Sequence, residues 1–90
     1  SIDEAGGAAP PPAPAAAPDE AGREKLYAAK AAMRRYIKMA SVETRALNDV
    51  VDQVRTPEQL ASAMRKIGRV FDANGFGEAF ANLSKEVSAG

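Results

Sequence analysis

The chain has 90 residues, of which 12 are Lys or Arg and 12 are Asp or Glu, so its formal net charge is zero. A balanced chain has no overall field that draws it to nucleic acid or to a membrane. It contains no Cys, His or Trp, which removes disulfides and thiol chemistry and leaves a zinc site or a nucleophilic triad nothing to build on.

Residues 1–22, SIDEAGGAAPPPAPAAAPDEAG, hold five of the six prolines and almost nothing large and apolar. Proline fixes φ and removes amide donors, so this stretch is expected to be a disordered, extended, polyproline-like Ala/Pro-rich tether. PPPAP lacks the nearby Arg or Lys that orients ligands of SH3 domains. No apolar run approaches the ~18 residues of a membrane span. The chain starts without Met and without a signal peptide, which reads as a fragment or a processed form. Its Ala/Pro-rich, Cys-free start is similar in composition to the segment after a cleaved signal in small exported proteins of high-GC bacteria. That likeness would place the chain in a bacterial periplasm or cell envelope if a signal segment has been removed, and in the cytoplasm otherwise. It assigns no activity.

From Arg23 to Arg55 there is neither Pro nor Gly. Asp19 and Glu20 put negative charge where a helix dipole favours it. Leu26, Met33, Ile37, Ala40, Thr44, Leu47, Val51 and Val54 follow a 4-3 heptad spacing, interrupted only by Lys30, whose alkyl stem can lie along the seam. The pattern predicts one helix over about 23–54, roughly 45 Å long. RTPEQL then starts a second helix over 57–73. Thr56 suits the N-cap, Pro57 the first helical position and Gln59 the third position of a capping box. The turn is short, so the two helices are expected to run antiparallel. Folding back at Thr56 sets Val51 opposite Leu60, Leu47 opposite Met64, Thr44 opposite Ile67, and Ala40 opposite Phe71. Gly68 costs ~1 kcal/mol inside a helix and marks a close helix contact or a tolerated defect. Asn74-Gly75 is a C-cap signal, and Phe76, Phe80, Leu83 and Val87 carry a third helix over 76–88. Of these, Phe76, Phe80 and Leu83 are expected to cover Ile37 or Tyr36, Met33 and Ala29. The expected fold is therefore all-α: a helical hairpin whose second arm is broken, with a compact three-helix bundle as the alternative.

Four candidate sites emerge. The stretch RVFDANGFGEAF resembles the start of a calcium-binding EF-hand loop at Asp72, Asn74 and Gly77. It lacks the oxygen ligands where Phe76 and Leu83 stand, and the Phe76–Phe80–Leu83 stripe is that of a helix. Lys30, Arg34 and Lys38 form a ridge at i, i+4, i+8, with Arg35 beside it, a candidate contact for nucleic acid or an anionic membrane surface. Against this stands a solvated face neutralised by Glu78 and Glu86 across the hairpin. Tyr27, Tyr36, Met39, Val42, Val50 and Val70 widen the apolar stripe beyond one seam and suggest an interaction face, buried by a third helix or by a second copy. The acids Glu43, Asp49 and Asp52 lie on a polar helix surface without a pocket-forming loop, so catalysis is not expected.

The expected function is a non-enzymatic helical module for self-association, dimeric by preference, or for binding a protein partner, held on a tether. No cofactor or metal is expected. The alternatives are a small exported or envelope protein, and an anionic-surface binder using Lys30, Arg34, Arg35 and Lys38.

Overall fold

The structure, a computed structural model, describes residues 19–89. Nearly all of the expected tether, residues 1–18, lies outside the described residues. The regular structure among those described is α-helical: α1 Glu20–Ala40, α2 Thr44–Asp52, α3 Pro57–Ala73 and α4 Gly77–Ala89. Asp19 is the N-cap of α1, its Oδ1 accepting from the Gly22 N–H at 2.7 Å. The helix therefore begins at Glu20 rather than Arg23, and residues 20–22 belong to it rather than to the tether.

The helix expected over 23–54 is in fact two helices. Ser41 (φ 57°) and Glu43 (φ 43°) both take the left-handed conformation. The Ser41 N–H still bonds the Ile37 carbonyl at 2.9 Å, and the Glu43 carbonyl already accepts from the Leu47 N–H at 2.9 Å, so only a short link separates the helices. Beyond it the chain reverses. Arg34 Nη2 lies 2.5 Å from Asp52 Oδ1, and Lys30 Nζ donates to the Val54 carbonyl at 2.9 Å. In one continuous helix Lys30 and Val54 would stand ~36 Å apart.

Burial explains the reversal. An open hairpin covers only one stripe of each helix. Folded double, the chain gathers Met33, Ile37, Val51, Ile67, Phe71 and Leu83 into one core where all six are fully buried. An open hairpin would cover these seam residues on one side only; at about 25 cal/mol for each further Å² of apolar surface removed from water, the doubled fold offsets the ~1–2 kcal/mol cost of each left-handed non-glycine residue. The break falls at the weakest joint of the seam. Ala40 is half-buried, and Thr44 is exposed and so does not meet Ile67 in the core.

The other two junctions follow the sequence. Thr56 Oγ1 accepts from the Gln59 N–H at 3.1 Å and Gln59 Oε1 accepts from the Thr56 N–H at 3.2 Å, with Pro57 opening α3. At the end of α3 the Phe76 N–H reaches the Phe71 carbonyl (2.8 Å), and the Gly75 N–H reaches that of Asp72 (3.1 Å). With Gly75 at φ 82° this is a complete Schellman motif. Its apolar clasp is the edge-to-face contact of Phe71 with Phe76, ring centroids 6.2 Å apart.

The helices form an up-down-up-down bundle. α1 packs on α2 and α4, α3 packs on α2 and α4, and α1 meets α3 across the diagonal, while α2 and α4 are not in contact. At the level of whole helices α2 still packs on α3 and α1 on α4, although the expected Thr44–Ile67 pairing is lost. Leu26 and Val87 line a common cavity. What changes is that both arms bend, at 41–43 and at 74–76, and the hairpin closes on itself.

Candidate functional site

The basic ridge is largely spent inside the bundle. Lys30 caps the C-terminal end of α2 through the Val54 carbonyl, a placement that the helix dipole favours. Arg34 pairs with Asp52 and Arg35 with Glu86. Tyr36 Oη lies 3.5 Å from the same Glu86 carboxylate. Both ion pairs are exposed, so each contributes only about 0–1 kcal/mol, yet they hold the guanidinium heads against α2 and α4. Lys38, in the last turn of α1, is exposed.

The six positions expected to form an interaction face do not share one surface. Tyr36, Val50 and Val70 are half-buried against the core, and Val42 is half-buried in the α1–α2 link. Only Tyr27 and Met39 remain in solvent, 77% and 70% exposed. Both lie on α1, but they stand ~18 Å apart along its axis and about a third of a turn apart around it. Single exposed apolar side chains of this kind are common on protein surfaces.

The loop with partial likeness to a calcium site closes as a helix cap. Asn74 turns its side-chain amide back onto the Val70 carbonyl at 2.7 Å. Among the described residues no group of three His, Cys, Asp or Glu side chains is placed to hold a metal ion. No described helix is long and apolar enough to cross a membrane. Asn48 Oδ1, buried on α2, accepts no hydrogen bond.

A concave surface that sequence reasoning did not single out lies between α3 and α4. It is a shallow groove of about 520 Å³. Met64, Arg65, Gly68, Arg69 and Asp72 line it from α3, and Phe80 and Ser84 from α4. The ring of Phe80 rests on the bare backbone of Gly68. A Cβ there would come within 2.7 Å of Phe80 Cζ. The ring also meets Phe71 edge-to-face at a centroid distance of 6.2 Å. The signal in the sequence was Gly68 in mid-helix, together with two arginines four residues apart. Neither identifies a groove until α4 is known to lie antiparallel against α3.

Comparison with known proteins gives no relative: no family model, no curated protein and no solved structure matches the chain.

Proposed function

We propose that this chain is a non-enzymatic protein-interaction module that binds a partner on the outside of a bundle complete in itself, with the residues before Asp19 acting as a Pro-rich spacer. The observation that carries the proposal is the α3–α4 groove. The centre of the core is fully buried, while at this edge Phe80 stays half-buried in an open trough beside Gly68 that two arginines line. Concave apolar surface with polar edges is the usual form of a docking site. Self-association is a second reading. It rests on Tyr27 and Met39, because the covering that an open hairpin would have needed from another copy is supplied within one chain. The anionic-surface reading is the weaker one, since Lys30, Arg34 and Arg35 are engaged internally.

The test is site-specific photo-crosslinking in cells producing the chain. One variant carries p-benzoylphenylalanine at Ser84, in the groove, and another at Asp49, exposed on α2. The proposal expects a discrete adduct from Ser84 and none from Asp49. Identical patterns from both sites, or none from either, would refute it. An adduct of twice the chain's own mass from Ser84 would establish self-association through this groove.

A further inference from the structure

We infer that the α3–α4 groove docks an acidic amphipathic helix of a partner protein. This rests on the interaction-module reading and adds the partner's chemistry. Arg65 and Arg69 line the groove one helical turn apart on α3. Unlike Lys30, Arg34 and Arg35, neither makes an ion pair or a hydrogen bond among the described residues. Two guanidinium groups at i and i+4 lie about 6 Å apart at their bases. Carboxylates at i and i+4 on a facing helix have the same spacing, and each can take a bidentate, charge-assisted pair. The floor supplies the other half of the match. Gly68 interrupts the ridge that Met64 and Asp72 would otherwise continue, and the exposed part of Phe80 fills the bottom of that notch. One apolar side chain of the partner, flanked by acids, covers it. Between Met64 and Asp72 the groove follows about two turns of α3, ~12 Å, the length over which two turns of a helix engage. Asp72 is the one acid lining the groove. It repels carboxylates from its part of the groove and so confines the partner's acids to the Arg65 and Arg69 side.

The test uses the full chain and two fluorescein-labelled 14-residue peptides read by anisotropy. One is an amphipathic helix with Leu at i, i+4 and i+7 flanked by Glu, and the other has Lys in place of every Glu. The expected result is that the chain binds the acidic peptide about ten-fold or more tighter than the basic one, and that R65E/R69E reverses the preference. Both arginines are exposed, so the variant keeps the fold, and circular dichroism verifies this. Equal binding of the two peptides, or no binding of either, overturns the proposal. Tighter binding to vesicles of 30% phosphatidylserine than to the acidic peptide assigns the arginines to a membrane surface and also overturns it. A ten-fold gain in peptide affinity on removing residues 1–18 assigns the groove to the chain's own tail, with the same consequence. A Ser84 crosslink that persists unchanged in R65E/R69E sustains the docking module while rejecting the acidic partner, so the two readings fail separately.

Discussion

Glu43→Gly separates the doubled hairpin from a straight one by the sign of its effect. Glu43 sits at φ 43° with no side-chain capping bond, and it is exposed. Its replacement therefore removes strain and little else. Relief of a left-handed non-glycine residue is worth ~1–2 kcal/mol, and the extra freedom of glycine in the unfolded chain costs ~0.5–1 kcal/mol. The net expectation is stabilisation by about 0.5–1 kcal/mol, a rise in Tm of roughly 2–8 °C for a domain of this size. Were residues 41–43 part of a continuous helix, the same substitution would destabilise by ~1 kcal/mol. Urea unfolding followed at 222 nm measures the difference. Glu43→Ala is the control: alanine cannot relieve the strain, so it is expected to be less stable than Glu43→Gly, whereas in a continuous helix it would be the more stable of the two by ~1 kcal/mol. A clear loss of stability in Glu43→Gly, with unchanged slope against urea, refutes the reversal.

Three further outcomes are expected. Phe71→Ala removes the hub of the aromatic cluster and the clasp of the α3 cap, and should cost about 3–5 kcal/mol, enough to unfold much of the population of a domain this small in a urea titration. Gly68→Ala should destabilise the parent, because its Cβ would collide with Phe80, but should stabilise a Phe80→Ala background by ~1 kcal/mol through helix propensity; additivity in that double-mutant cycle would show that the ring does not lie on Gly68. Asn48→Ala deletes a buried acceptor that has no partner, so thermal unfolding should shift upward or stay level, and a fall of more than ~1 kcal/mol would mean that Oδ1 is bonded after all.

The parts of the fold legible in the sequence were those written in local chemistry. Thr56-Pro57-Glu58-Gln59 specifies a helix start through a cap, a fixed φ and a reciprocal side chain. Asn74-Gly75 followed by Phe76 specifies a stop, because only glycine takes φ 82° freely and Phe76 has Phe71 to clasp. The seam positions Met33, Ile37, Leu47, Val51, Ile67, Phe71 and Leu83 are read from spacing, and all are buried. The reversal at 41–43 was not legible. Ser41, Val42 and Glu43 offer no Gly or Pro, and they adopt an unfavourable turn only because the core repays it. The exposure of Thr44, the one polar member of the seam, was the faint trace of it.

The candidate sites depend on that same reversal. The spacing of Lys30, Arg34 and Lys38 shows a ridge, but Val54 and Asp52 meet it only once α2 folds back, whereas Glu86, expected across the hairpin, does pair with the neighbouring Arg35. Tyr36, Val50 and Val70 seemed to need a partner for the same reason, and the chain itself covers much of their surface. The groove is the converse case. Arg65 and Arg69 are two basic residues among twelve in a charge-balanced sequence, and their lack of internal side-chain partners is visible only in three dimensions.

The most direct test of the doubled hairpin is a distance between α1 and the end of α2. The chain has no Cys, so Ala28→Cys/Gln53→Cys carries spin labels at those two exposed positions alone. Pulsed electron–electron resonance on this variant should give a single distance below about 20 Å, since packed helix axes lie 8–10 Å apart. A distribution centred near ~37 Å, the length of the intervening residues as one helix, would contradict the account.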